Sequence, residues 1–184
     1  TVPAKPGKSA VEMFNAVREG EIKLLWVACT NPAQSMPNAN IVREALQKAE
    51  LVVVQEAYAQ TDTTAYADVL LPATSWGEKE GTVTNSERRI THVRPAVDGP
   101  GEARADWEIV VDFARRLEKR LRPGQATLFP YAEVEQVFNE HKATTAGRDL
   151  DITGLSYALL DGQGPQQWPF PDGASAGKVR LYED

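Results

Sequence analysis

Two polar side chains directly follow the most apolar runs of the chain, where they could bind a nucleotide-like ligand. Asn31 comes after the run 24–29, in a turn shaped by Pro32. Glu56 comes just after the run 51–54. Loops that follow buried parallel strands form the ligand crevice of an open α/β sheet, and a carboxylate there can accept from a ribose hydroxyl or from guanine. Gln34 and Ser35 add donors suited to a diphosphate. The alternatives are a turn-forming Asn31 and a surface acid at Glu56.

Lys79 and Asp106 are the next candidates, and each also has a purely structural interpretation. Lys79 lies between Glu78 and Glu80. It could reach a phosphate or purine, or belong to a solvated charge cluster. Asp106 is placed to be the N-cap of a helix, since an Asp oxygen accepts from free amides there. That role leaves its second oxygen available to a ligand. Glu87, Arg88 and Arg89 are interpreted as a salt-bridge network within their loop.

The composition excludes several classes of chemistry. The chain has 184 residues, 42% of them hydrophobic, and a net charge of -6, which argues against nucleic acid as the main partner. No apolar run approaches the roughly 20 residues that span a bilayer. The single Cys29 cannot form a disulfide framework or an iron–sulfur site. We interpret it as a small buried residue at a strand end, and we expect no metal ligand or catalytic residue here. Isolated His92 and His141 are predicted to be solvated or locally hydrogen-bonded.

The hydrophobic pattern predicts an α/β fold. Ser9 and Glu12 form a capping box for a helix that ends near Gly20. The runs 24–29, 51–54 and 69–71 lack alternation, which predicts neighbouring parallel strands; for the first of them we expect both faces to be buried. Residues 76–104 show no sustained period, although 91–94 could be a short strand. A strong helix is predicted from Asp106, and another over 131–139. The large apolar residues of the first form a wide stripe: Ile109, Val110, Phe113, Ala114 and Leu117.

The chain changes character near residue 147. Glycine and proline break every period between 162 and 173, so residues 148–184 are predicted to be an irregular extension to a domain spanning 1–147. Trp168 and Phe170 either anchor this extension to a neighbouring domain or pack on this domain's own surface. The start of the chain, Thr1–Pro6, lacks an initiator Met, and both ends are expected to continue into a longer protein.

Four segments of the sequence resemble the molybdopterin oxidoreductase family. They are Thr30-Asn31-Pro32, the segment 67–73 (Ala-Asp-Val-Leu-Leu-Pro-Ala), and Glu78–Thr82 followed by Asn85–Arg89. The resemblance covers roughly Ser9 to Arg116 and returns from Gln167 through Tyr182. It is greatest to the assimilatory, nitrate-reducing branch.

The resemblance implies a Rossmann-like third domain, an open parallel sheet flanked by helices that holds one of two molybdopterin guanine dinucleotides on a molybdenum. Motif matching places the cofactor contacts on Asn31, Gln55, Glu56, Lys79 and Asp106. Many relatives have Asp where this chain has Glu56. The implied parent is a cytoplasmic enzyme that reduces nitrate to nitrite. Its 4Fe-4S cluster and molybdenum ligand would lie in other domains, its electrons would come from a donor protein or subunit, and the chain alone would not be catalytic.

Three rival interpretations stay open. The parent could be a formate dehydrogenase or another enzyme of the same family. The chain could be a structural relative that has lost the cofactor. It could also be an unrelated nucleotide-binding module, although an ordinary NAD-binding domain is disfavoured because no G-x-G-x-x-G follows the first strand.

Overall fold

The computed structural model describes residues 4–181, and the expectations for the first three residues and for Tyr182 lie outside them. The chain divides into two compact units. The first contains the residues up to Thr74 together with Pro100–Asp106, and the second contains Ser75–Gly99 together with the residues from Trp107 onward. The expected boundary near residue 147 falls within the second unit and stays a prediction.

A three-stranded parallel sheet forms the centre of the first unit. Strands β1 (Leu24–Ala28), β2 (Leu51–Glu56) and β3 (Val69–Pro72) lie in the order β1-β2-β3. Leu24 is opposite Leu51, and Val53 is opposite Val69. The predicted parallel neighbours are therefore confirmed, as is the α/β class.

Helices α1 (Ala10–Arg18), α2 (Pro32–Ser35) and α3 (Ala39–Lys48) accompany this sheet, with a 3₁₀ turn at Thr64–Tyr66. The capping box is present: the Ser9 amide donates to Glu12 Oε2 at 2.7 Å, and the Glu12 amide donates to Ser9 Oγ at 3.4 Å. Gly20 has a φ of +83°, which suits a residue just after a helix.

One face of the sheet carries the hydrophobic core of the first unit. The strand residues in it are Leu25, Val27, Val52 and Val54. The helix residues in it are Phe14 and Val17 of α1, Ala33 of α2, and Val42, Ala45 and Leu46 of α3. The expectation that both faces of β1 are buried is wrong, because Leu24 is 52% exposed while Leu25 is 4% exposed. The helices of the core cover the side to which Leu25 points.

An antiparallel sheet lies in the second unit. Strands β4 (Gly81–Thr84) and β5 (Arg89–Val93) form a hairpin, and β6 (Gln166–Gln167) pairs with β5. The short strand expected near residue 91 is β5, whereas β4 was not predicted. A 3₁₀ turn at Trp76–Glu78 precedes the hairpin.

Three helices follow the hairpin: α4 (Asp106–Leu121), α5 (Val134–Ala143) and α6 (Tyr157–Gln163). Asp106 is the first residue of α4 rather than the residue before it. The predicted stripe of α4 is only partly buried: Ile109 is 8% exposed, whereas Phe113 is 50% exposed.

The C-terminal region packs within its own unit. Phe170 is almost fully buried and shares a cluster with residues of β5, α5, α6 and the segment between those two helices: Ile90, Phe138, Ile152, Leu155, Tyr157 and Leu160. Trp168 packs against this cluster. The guanidinium of Arg88 donates to the carbonyl oxygens of Trp168, Lys178 and Val179. Of the two alternatives for Trp168 and Phe170, packing on the chain's own surface is the one observed.

The loop before β5 combines two kinds of contact. Arg89 Nε lies 3.3 Å from Glu87 Oε2, as the expected salt-bridge network requires. Arg88 departs from that network, because its guanidinium binds backbone carbonyls. None of the helices within residues 4–181 is long and apolar enough to cross a bilayer.

Candidate functional site

The parallel register brings Asn31 and Glu56 to one edge of the sheet. Ala28, the last residue of β1, is opposite Gln55 in β2. Glu56 is the last residue of β2, and Asn31 lies three residues beyond the end of β1. Carboxyl ends of neighbouring parallel strands meet at the same edge, which is where open α/β sheets bind ligands.

Asn31 is held by a buried threonine that the sequence did not single out. Its Oδ1 accepts from Thr63 Oγ1 at 2.6 Å and from the Thr63 amide at 3.1 Å. Thr63 is fully buried, and its Oγ1 also accepts from the Ala33 amide at 3.2 Å. On the other side of the amide group, Asn31 Nδ2 donates to Gln34 Oε1 at 2.9 Å. The orientation of the Asn31 amide is therefore fixed from both ends.

Gln55 and Asp106 share a second polar network at the same edge. Gln55 is 1% exposed, yet both ends of its amide are bonded. Its Oε1 accepts from Trp26 Nε1 at 3.2 Å, and its Nε2 donates to Asp106 Oδ1 at 2.7 Å. Cys29 Sγ also donates to Asp106 Oδ1, at 3.3 Å. Gln55 thus fixes the position of Asp106 and is itself enclosed.

The interpretation of Cys29 as a buried residue is wrong. Its side chain is exposed, and its backbone has a φ of +58°. Non-glycine residues rarely adopt this left-handed conformation. The chain turns sharply there, which carries Cys29 out of the strand and toward the Asp106 carboxylate.

Glu56 presents an acceptor at the sheet edge. Its Oε1 accepts from the backbone amides of Ala57 at 2.7 Å and Tyr58 at 3.3 Å. Those bonds fix the carboxylate. Oε2 makes no hydrogen bond to another residue within 4–181, so a ligand hydroxyl or amine can donate to it.

Lys79 belongs to the second unit, whereas the other four predicted residues belong to the first. Its ammonium lies 5.5 Å from the centre of the Trp76 ring, an arrangement typical of a cation–π contact. Glu78 accepts from the Ser75 amide at 2.8 Å, and Glu80 Oε1 lies 3.2 Å from His92 Nε2. The three charges of this run are therefore held by separate local contacts.

A buried histidine between two carboxylates is the main feature of the second unit that the sequence did not reveal. His92 Nδ1 lies 2.8 Å from Asp161 Oδ1, and the ring stacks on Tyr157 at 3.9 Å between centroids. The hydrogen bond from His92 lowers the pKa of Asp161 below its usual value. Burial, with Glu80 and Glu135 nearby, raises the pKa of Tyr157 to about 12. The prediction of a locally bonded His92 is confirmed.

The first unit has hydrogen-bond donors and acceptors of the kinds that bind nucleotides. Within residues 4–181, no group of three His, Cys, Asp or Glu side chains is arranged to hold a metal ion. Glu56 Oε2 can accept from a ribose hydroxyl or a guanine amine. Asn31 Nδ2 has two N–H groups, and only one of them donates to Gln34.

Comparisons with known proteins identify the family. The family model described as molybdopterin oxidoreductase matches residues 1–116, and the chain belongs to that family. Acetylene hydratase from Pelobacter acetylenicus shares the fold, with a TM-score of 0.67 and 19% sequence identity over 90% of this chain and 21% of that chain.

Nitrate reductases are among the most similar curated relatives. The chain is 41% identical to the nitrate reductase of Synechocystis sp., over 98% of this chain and 25% of that protein. It is 39% identical to the assimilatory nitrate reductase catalytic subunit of Bacillus subtilis, over 98% of this chain and 24% of that protein. An F420-dependent formate dehydrogenase subunit of Methanocaldococcus jannaschii is 38% identical, over 89% of this chain and 22% of that protein. The chain therefore spans about a quarter of the length of these relatives.

Proposed function

We propose that this chain is the cofactor-binding part of a molybdenum-dependent nitrate reductase. The likeness to nitrate reductases across almost the whole chain carries the proposal. The parent enzyme would reduce nitrate to nitrite, with two electrons and two protons consumed and water released. When bound, the molybdenum cofactor supplies the redox chemistry, and a 4Fe-4S cluster elsewhere in the parent delivers the electrons.

The residues of this chain would bind and orient one guanine dinucleotide of the cofactor. Glu56 would accept from the ribose or the guanine through Oε2, while its Oε1 stays bound to the backbone. Asn31 would donate its remaining N–H to the diphosphate. Asp106, held by Gln55, would be a further acceptor for the cofactor. Lys79 of the second unit would supply a cation to a phosphate or purine.

The parent would contain further domains and act in the cytoplasm. A chain with one cysteine and no disulfide suits a reducing compartment. We propose that residues 1–147 form the cofactor-binding domain and that 148–184 lead toward the next domain. Electrons would come from a donor protein or subunit.

The substrate is tested on the full-length protein that contains this chain. We expect nitrite formation with a reduced viologen dye and stoichiometric molybdenum by elemental analysis. A formate dehydrogenase is the second candidate, since the methanogen enzyme is 38% identical. Formate-dependent dye reduction without nitrate reduction would establish that candidate instead.

The cofactor contact is tested by Glu56→Gln in the same protein. Loss of a charged acceptor costs about 1.5–3 kcal/mol, so we expect cofactor occupancy under limiting cofactor to fall roughly tenfold or more. Occupancy is measured as GMP released by acid per mole of protein. Glu44→Gln, at an exposed position of α3, is the matched control and should retain GMP. Protein that never contains GMP would indicate a relative that has lost the cofactor.

A further inference from the structure

His92 is enclosed between two carboxylates of the second unit. Its side chain is only 5% exposed. Nδ1 lies 2.8 Å from Asp161 Oδ1, and Nε2 lies 3.2 Å from Glu80 Oε1. An ionised carboxylate accepts hydrogen bonds and cannot donate them, so only a ring that carries a proton on each nitrogen satisfies both contacts at once. The geometry at His92 is therefore that of an imidazolium.

The other charged and titratable groups around the ring do not compete for its protons. Burial raises the pKa of Tyr157, which stacks on the ring, to about 12, so that this phenol stays neutral. Glu135 of α5 acts on Tyr157 through its charge. Arg94 Nη1 lies 3.4 Å from Asp161 Oδ1, so Asp161 keeps a cationic partner whatever the charge on His92. The β6 strand contributes only glutamines.

Loss of one proton from His92 would break one of its two contacts. A neutral imidazole has a single N–H, and we expect it to stay on Nδ1, which makes the shorter contact. The Nε2 lone pair would then face Glu80 Oε1, and both atoms are acceptors. The Glu80 side chain is 46% exposed, so it can turn toward water. Deprotonation of His92 therefore releases Glu80.

Glu80 is the direct neighbour of Lys79 in the chain. Thr82 is opposite His92 in the hairpin, and Glu80 lies two residues before Thr82, on the same side. Lys79 has an extended backbone, with φ of -132° and ψ of 157°, so its side chain points away from the side on which Glu80 lies. The contact between His92 and Glu80 thus fixes the direction of Lys79.

We propose that His92 is a positioning residue: its second proton holds Glu80 in place and so directs Lys79 toward the cofactor. The inference rests on the proposed function for the group that Lys79 contacts, a phosphate or purine of the cofactor. The control of the segment 76–81 by His92 requires no cofactor. When the pH rises and the ring loses a proton, this segment loosens and the cofactor is released faster.

Hydrogen–deuterium exchange with mass spectrometry on the full-length protein tests the control of the segment 76–81. Its exchange is followed from about pH 5 to pH 9, which includes the usual titration of histidine, and is divided by the intrinsic rate at each pH. We expect about two- to fivefold faster corrected exchange at the upper end, since half-exposed ion pairs are of modest strength. His92→Gln, neutral throughout, should give one corrected rate at every pH. A pH-independent rate in the unmodified protein would overturn the proposal.

Glu80→Gln distinguishes the proton of His92 from a purely structural role of the ring. A glutamine at this position can accept from a protonated Nε2 and donate to a deprotonated one. We therefore expect slow exchange of the segment 76–81 at every pH. His141→Gln changes the exposed histidine of α5 and is the matched control, which should keep the pH dependence of the unmodified protein. The same pH dependence in Glu80→Gln would contradict the proposal.

Retention of the cofactor is measured on the same proteins as GMP released by acid per mole of protein, after incubation at the two ends of that pH range. Loss of GMP should be about two- to fivefold faster at the upper end in the unmodified protein, and equal at both ends in Glu80→Gln. Equal loss at both ends in the unmodified protein would overturn the link to the cofactor. Protein that never contains GMP would contradict the proposed function instead, while the exchange rates would still decide the role of His92.

Discussion

At the scale of single residues, the candidate site depends on a buried threonine that positions Asn31. The hydroxyl of Thr63 donates to Asn31 Oδ1 and accepts from the Ala33 amide. An asparagine amide can otherwise rotate so that oxygen and nitrogen exchange places. The two bonds from Thr63 select the orientation in which the Asn31 nitrogen stays available.

Thr63→Val should destabilise the protein by about 1–3 kcal/mol, because it leaves the buried amide of Ala33 without an acceptor. Urea denaturation gives the free energy of unfolding. Thr63→Ser keeps the hydroxyl and is the matched control, with a clearly smaller loss expected. A loss for Thr63→Ser as large as that for Thr63→Val would mean that the hydroxyl contributes no more to stability than the methyl group does.

The contact between His92 and Asp161 predicts that the stability of the protein falls at low pH. The pKa of Asp161 is lowered, first by the hydrogen bond from His92 and also by the charges of His92 and Arg94. Glu80 faces the other ring nitrogen. Since the folded pKa lies below the unfolded one, the stability from this carboxylate is present above the usual value of 3.8. It is lost as the pH falls through the lowered pKa.

The free energy of unfolding should decrease between about pH 5 and pH 2, and Asp161→Asn should make that decrease smaller. Urea denaturation across that pH range measures the difference. The decrease will not disappear, since the pKa values of Glu12, Glu118 and Asp151 are also lowered. An unchanged pH profile would show that the His92–Asp161 bond does not persist in solution.

At the scale of elements, the two sides of β1 make different contributions to stability. Leu25 lies in the core with α1 and α3, whereas Leu24, its neighbour in the strand, is 52% exposed. An unbroken apolar run does not reveal this difference, because every residue of it has the same character.

Leu25→Ala should cost about 2–5 kcal/mol through lost burial and the cavity that remains. Leu24→Ala should cost less than about 1 kcal/mol, as exposed positions usually do. The two variants are compared by chemical denaturation of the same chain. A cost for Leu24 as large as that for Leu25 would show that another part of the protein covers the second face.

At the scale of the whole molecule, we propose that this chain forms only part of a cofactor-binding site. Small-molecule sites normally bury most of their ligand, and this chain spans about a quarter of its relatives. GMP or GDP should therefore bind the isolated chain with a dissociation constant on the order of 1 mM, equivalent to about -4 kcal/mol.

Isothermal titration measures that affinity, with AMP as the matched control. Micromolar binding of GMP would show that this chain forms a complete site. Turnover of nitrate by the isolated chain, or stoichiometric molybdenum in it, would show that the metal is held here.

The amino-acid sequence alone was sufficient to predict the class of fold, the first helix and the three parallel strands. Ser9 and Glu12 specify the start of α1 through local hydrogen bonds, and the apolar runs of β1 and β2 specify neighbouring parallel strands. It also placed Asn31 and Glu56 at one edge, because strands that run parallel end together. These features depend on neighbours in the chain, so a local pattern is sufficient to predict them.

Which polar groups face each other depends on the packing of segments that are distant in the chain. Thr63 lies 32 residues from Asn31, and Asp161 lies 69 residues from His92. No period or motif links such pairs, since their proximity is a product of chain folding. The exposure of one side of α4 and the burial of Phe170 also depend on which distant elements pack against them.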